Sequence, residues 1–190
     1  MNCYLRTFDP AGDPTYKISF ADWFIRWKSD KTHSEFQLSS RYGGISVSCT
    51  MKDGCKCVRF KWIDYTKHPL RWLSQIIPLT DEQEDAIFAE ACKLADISIN
   101  SAKTYCRLCQ RGLCTVKYYH GLNARKYDLI GVVLCNITSW RIIRSNDKWY
   151  WCSELVCHLI QVAYTDFNGH ADTQRPDTLY NEWALYRKAA

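Results

Sequence analysis

A cysteine attacks an acyl carbon as its thiolate, and it then needs a base and a group to hold that base in place. The chain offers Cys152, His33 and Glu35 for these roles. Cys152 follows Trp149-Tyr150-Trp151 and opens a stretch in which Leu155, Val156, Leu159, Ile160 and Ala163 recur at helical spacing. Amide groups in the first turn of a helix are unpaired and carry partial positive charge. They stabilise a thiolate and can donate to a developing oxyanion. The aromatics before Cys152 could wall a dry cleft. The alternative use of Cys152 is as a small buried apolar residue, one of eleven cysteines.

His33 has the best context of the five histidines. His33-Ser34-Glu35-Phe36-Gln37-Leu38 alternates with period two, which predicts a strand with His33, Glu35 and Gln37 on one face. At a strand rise of ~3.3 Å per residue, the α-carbons of His33 and Glu35 lie roughly 6.5 Å apart. Glu35 could then fix the imidazole tautomer and stabilise its cationic form. The alternative is a solvated polar face on an edge strand. His68 precedes Pro69 in a predicted loop, His170 sits in another, and His158 falls on a different face of the Cys152 helix.

These side chains need elements to bring them together. The first fifteen residues hold Pro10, Gly12 and Pro14 and read as an irregular lead-in. Ile18 to Lys28 fits a short helix or a strand equally well. After the His33 strand, Gly43-Gly44 marks a turn, and Ile45, Val47, Cys49 and Met51 form the apolar face of a second strand. Lys52-Asp53-Gly54 reads as a hairpin turn. A third strand carries Val58, Phe60 and Trp62 on one face, and a fourth lies between Trp72 and Leu79. Thr80 and Gln83 form a capping box for a helix carrying Ile87, Ala91, Leu94 and Ala95. Residues 97 to 126 read as irregular and cysteine-rich, Leu129 to Ile137 as a buried strand, and Cys152 to Tyr164 as a second helix. The tail holds Pro176-Asp177-Thr178-Leu179 and ends in polar residues. Strands grouped together with flanking helices predict an α+β fold, an antiparallel sheet packed on the nucleophile-bearing helix.

Thr32-His33-Ser34-Glu35, Gly44, Trp72, Lys126-Tyr127-Asp128, Trp151-Cys152-Ser153-Glu154-Leu155-Val156 and Pro176-Asp177-Thr178-Leu179 together resemble the circularly permuted branch of the NlpC-type papain-like superfamily, and more closely its YiiX-like and poxvirus-type members. In that branch the histidine strand comes first and the nucleophile helix comes late. The resemblance spans roughly residues 17 to 180 as scattered short motifs. It implies a papain-like fold, Cys152 as nucleophile, His33 as base and Glu35 as the orienting residue. Tyr127 and Asp128 match a recurring Tyr-Asp pair near the cleft, which Trp151 also lines. The family includes peptidases and amidases, and relatives that act on lipid acyl groups. Their shared step is thiolate attack that gives a thioester. Relatives of this type are frequent in viruses and phages.

One segment departs from the family pattern. Cys106, Cys109, Cys114 and His120 fall within fifteen residues, in what reads as an insertion around 97–126. Three thiolates and an imidazole could fill a tetrahedral shell around a structural zinc, with Cys55, Cys57 or Cys92 as further donors. A redox pair and a loop of reduced thiols are the other readings. Catalysis itself requires no cofactor.

The bulk composition bounds the rest. The 190 residues suit one domain over 1–190, with 47% hydrophobic and 24% charged residues. The net charge of +5, without a basic run, argues against a nucleic-acid partner. No apolar run approaches the ~20 residues of a membrane span, and the start, Met1-Asn2-Cys3-Tyr4-Leu5-Arg6, does not read as a secretory signal. Eleven cysteines without such a signal suit reduced thiols and a cytoplasmic setting, the host cytoplasm or the virion for a viral protein. The expected function is hydrolysis of an amide, isopeptide or ester bond in a peptide, a ubiquitin-like tail, a peptidoglycan stem or an acyl lipid. A thiol acyltransferase or a non-catalytic binding module on the same fold are the rivals.

Overall fold

The structure is a computed structural model and describes residues 2–26, 29–50, 57–128, 149–169 and 175–189. Its strands are β1 (Asn2–Phe8), β2 (His33–Gln37), β3 (Ser46–Thr50), β4 (Cys57–Lys61), β5 (Trp72–Pro78), β6 (Lys126–Tyr127) and β7 (Trp149–Tyr150). They form one sheet in the order β5-β1-β2-β3-β4-β6-β7, antiparallel except for the β6–β7 pair. The expected strands around His33, Val47, Phe60 and Ile76 are present. The Lys52-Asp53-Gly54 turn and the Leu129–Ile137 strand lie outside the described residues.

β1 corrects the expected irregular lead-in. The breakers begin at Pro10, beyond the strand, and Cys3, Leu5 and Thr7 point alternately into the core. β1 pairs with both β2 and β5, and its register sets Arg6 opposite Glu35 and Phe8 opposite His33. The strand that sequence pattern passed over therefore fixes the position of the histidine strand.

Helices flank the sheet, so the fold is mixed α+β. α1 (Phe20–Arg26) resolves the ambiguous second segment. Ser19 and Asp22 hold its start reciprocally: the Asp22 amide donates to Ser19 Oγ at 3.2 Å and the Ser19 amide to Asp22 Oδ2 at 3.3 Å. α2 (Asp81–Leu94) begins at the expected capping box, with Thr80 N–H to Gln83 Oε1 at 3.0 Å and Gln83 N–H to Thr80 Oγ1 at 3.2 Å. α3 (Ile99–Gln110) corrects the irregular reading for the first part of residues 97 to 126, while 111 to 125 form no helix or strand. Ser98 caps it, and Ala102, Tyr105, Cys106 and Cys109 make a buried stripe at helical spacing. Treating the cysteines as ligands concealed that stripe; treated as small apolar residues they complete it. α4 (Cys152–Ala163) is the expected helix opening at Cys152 and packs against β2, β3 and α2.

α5 (Pro176–Ala189) replaces the expected polar tail. Proline suits the first helical position because its missing N–H would be unpaired there anyway. Leu179 and Trp183 then reach the core, where the Trp183 ring stacks on Tyr186 and meets Tyr164 and Phe167 edge-on. Trp183 Nε1 donates to the Ile76 carbonyl of β5 at 3.2 Å. Trp183→Ala is expected to cost about 3–5 kcal/mol, measured by denaturant unfolding. A loss under about 1 kcal/mol would show that α5 contributes nothing to the core.

Candidate active site

The N-terminus of α4 is shaped by its cap. Trp151 is extended, with φ −96° and ψ 175°, and its amide donates to Glu154 Oε2 at 3.2 Å. This ends the preceding strand segment and places Cys152 at the first helical position, 5% exposed. Its sulfur accepts the backbone N–H groups of Ser153 and of Ser34 on β2.

The Ser34 contact follows from the sheet. The β2–β3 ladder pairs Phe36 with Val47 and Gln37 with Ser46 and goes no further toward His33. Just past the end of β2, Leu38 N–H points toward the β3 side and reaches Ile45 O at 2.9 Å. The Ser34 amide has the same phase, four residues earlier, at a level of β3 where the β2–β3 pairing has already ended. The Cys152 sulfur takes that donor instead. The gap in the ladder is what admits the helix end to the histidine strand.

His33 and Glu35 share a face of β2, as the alternation requires. His33 Nε2 lies 3.0 Å from Glu35 Oε1, with the two side chains 19% and 4% exposed. An ionised carboxylate only accepts, so Nε2 carries the hydrogen and Nδ1 is left for the sulfur. The Cys152 side chain and the imidazole share a hydrogen bond. Burial opposes a charged imidazole, but the Cys152 sulfur and then Glu35 outweigh it and push His33 up to about 9. Burial likewise opposes a Cys152 thiolate, yet the facing His33 and the two backbone donors bring this thiol below its ordinary value. The two shifts both favour the thiolate–imidazolium form of the pair, and that preference is lost as pH rises through about 9.

Glu35 remains ionised despite its burial, because His33, Tyr65 and Lys61 hold its carboxyl below the usual range. The Tyr65 hydroxyl donates to Glu35 Oε2 at 2.7 Å. Trp72 stands edge-on to both rings, at 6.3 Å from His33 and 5.0 Å from Tyr65. The indole shields this side of the pair from water.

Tyr127 is brought to the site as expected. The parallel β6–β7 pairing sets it beside Tyr150, two residues before Cys152, and Asp128 N–H fastens that pairing on Tyr150 O at 3.0 Å. Burial first, then charge on Cys152 and Cys49, raise the Tyr127 phenol well above its ordinary value, so it stays neutral. Asp128 acts on Tyr127 through its charge, and Trp151 is the buried cap residue before Cys152.

The four zinc candidates do not converge. Cys106 and Cys109 turn into the core from α3, where burial pushes each thiol up to about 12. Cys114 hydrogen-bonds Cys109 and donates to Val116 O at 3.2 Å. His120 is exposed, with Nδ1 3.0 Å from Gly121 O. Among the described residues no three His, Cys, Asp or Glu side chains are grouped to hold a metal ion. Cys57 belongs to β4, Cys92 is buried on α2, and Cys55 lies outside the described residues.

Sequence reasoning missed Tyr65 and the Ser34 amide. Tyr65 sits in a short turn (Tyr65–Lys67), thirty residues from Glu35, and nothing periodic links the two. Among the described residues no helix is long and apolar enough to cross a membrane. Comparison of the chain with family models, with curated proteins and with solved structures gives no match.

Proposed function

We propose that this chain is a thiol hydrolase with a papain-like fold of the circularly permuted NlpC type, cutting an amide, isopeptide or ester bond. The observation that carries the proposal is the hydrogen-bonded series Cys152–His33–Glu35, which joins a depressed thiol to a raised imidazole. Perturbed groups in such mutual contact are what nucleophilic catalysis needs. The early histidine strand and the late cysteine helix, on one sheet, also suit the permuted order.

In the proposed reaction the Cys152 thiolate adds to the acyl carbon. The carbonyl electrons move onto oxygen, where amides at the α4 N-terminus can donate. The intermediate collapses to a thioester as the imidazolium gives its proton to the leaving amine or alcohol. Neutral His33 then takes a proton from water, which attacks the thioester and releases the acid. An acyltransferase would differ only in the acceptor. The substrate classes proposed are a peptide, a ubiquitin-like tail, a peptidoglycan stem or an acyl lipid, and the compartment proposed is the cytoplasm. A binding module would gain nothing from a charged, paired thiol, which disfavours that rival.

The test is a panel of electrophilic probes carrying peptidyl, ubiquitin-tail, muropeptide and fatty-acyl groups. One acyl class is expected to label Cys152 faster than the others and faster than any other cysteine, with reporter hydrolysis following the same preference. Labelling spread evenly over the cysteines, with no reporter turned over, would sink the proposal.

A further inference from the structure

We infer that Tyr65 is a positioning residue of this site, holding Glu35 ionised and aimed at His33 by donating its phenolic hydrogen to Glu35 Oε2. The inference rests on the hydrolase reading of Cys152 and His33 and adds a fourth member to it.

Four contacts orient the phenol. Its hydrogen goes to Glu35 Oε2 at 2.7 Å, while Glu35 Oε1 is engaged by His33 Nε2 at 3.0 Å. Each carboxylate oxygen thus has its own donor, and the plane of the carboxylate is set from two sides. The Ser46 hydroxyl, on β3, hydrogen-bonds the Tyr65 oxygen; since the phenol has spent its only hydrogen on Glu35, Ser46 is the donor there. The Arg6 guanidinium of β1 lies over the Tyr65 ring at 4.5 Å from its centroid, and Trp72 of β5 abuts the same ring. Tyr65 and Glu35 are 8% and 3% exposed.

The electrostatic surroundings fit this role. The charged and titratable groups acting on Glu35 are His33, Tyr65 and Lys61, with Arg6 directly across the β1–β2 ladder. Those acting on Cys152 include His33 and, from β6, Tyr127. Arg6 directs its own hydrogen bonds to Gln37 and Ser74, so its cation reaches Glu35 only through space and through the Tyr65 ring. Tyr65 itself is held far above its ordinary value by burial and by Glu35 and stays a neutral donor. Removing its hydroxyl leaves one oxygen of a buried carboxylate without its donor. Glu35 would then take up a proton at higher pH, the imidazolium would lose its counter-charge, and the Cys152 thiolate would form later.

The experiment is the rate of Cys152 alkylation by iodoacetamide against pH, followed by mass spectrometry, which needs no substrate. In Tyr65→Phe the acid midpoint is expected to move up by about one pH unit, the effect of one hydrogen bond to a charged group. The rate on the alkaline plateau should be unchanged. Ser46→Ala keeps the phenol and should move the midpoint the same way by less, which covers the case of a poorly folding Tyr65→Phe. Unshifted midpoints in both variants, or shifts downward, overturn the role of Tyr65, because a purely structural tyrosine would lower the melting temperature alone. A wild-type profile with no depressed midpoint at Cys152 would instead count against the hydrolase reading itself.

Discussion

Cys152→Ala is expected to abolish turnover of the reporter that the wild type prefers, by a factor on the order of 10^4 or more. In the proposed mechanism the thioester forms on this side chain. Cys157, one turn further along α4, is fully buried in the core. The same variant has a second readout independent of any substrate. The Cys152 sulfur is the foremost of the groups that raise His33 to about 9, against the opposing effect of burial. Removing it should therefore lower the His33 pKa, with Glu35 alone left to favour the imidazolium. Titration of the His33 ring protons by NMR measures this. Full activity in the variant would exclude Cys152 as nucleophile, and a His33 value that stays near 9 would exclude the ion pair. The substitution is a small one at the helix start, and far-ultraviolet circular dichroism should show the fold retained.

His33→Gln should return Cys152 to an ordinary or higher thiol pKa. The imidazolium is the main group opposing the desolvation of the thiolate. Without it, burial pushes the thiol upward from its unperturbed value of 9.0. A thiol at that value is about 1% ionised at pH 7, so iodoacetamide should modify Cys152 more slowly than in the wild type, by a factor of up to about a hundred. Wild-type activity should rise on the acid side as the thiolate forms below its ordinary value, and fall as pH climbs through about 9, where His33 loses the proton destined for the leaving group. The glutamine variant should lack the acid limb of the alkylation profile over that range. An alkylation rate at pH 7 equal to the wild type's would remove His33 from the mechanism.

Much of this site was legible in the residues themselves. Period-two alternation from His33 to Leu38 set His33 and Glu35 on one face, and the 3.0 Å contact between them is the direct result. The cysteine at the head of an apolar helical pattern was also legible, as was the capping box at Thr80 and Gln83. These are local signals, carried by neighbours within about one or two turns or a few strand residues. The misses have physical causes of their own. β1 was hidden by the prolines and glycine that follow it. α3 was hidden by cysteines that pack like small apolar side chains. α5 was hidden because its buried stripe is sparse, with Pro176, Leu179 and Trp183 among polar neighbours.

By itself, then, the amino-acid order determined which residues could act as nucleophile, base and orienter, and the local elements on which they sit. Whether Cys152 meets His33 depended on the tertiary structure. The β2–β3 ladder stops short of Ser34, and α4 packs its first turn into the opening, so the sulfur takes an amide that a longer ladder would have consumed. Tyr65 reaches Glu35 because a turn between β4 and β5 folds back under the sheet's polar face, where Ser46, Arg6 and Trp72 hold its ring. Such encounters depend on strand register and helix packing across long separations, and no period within a single segment records them.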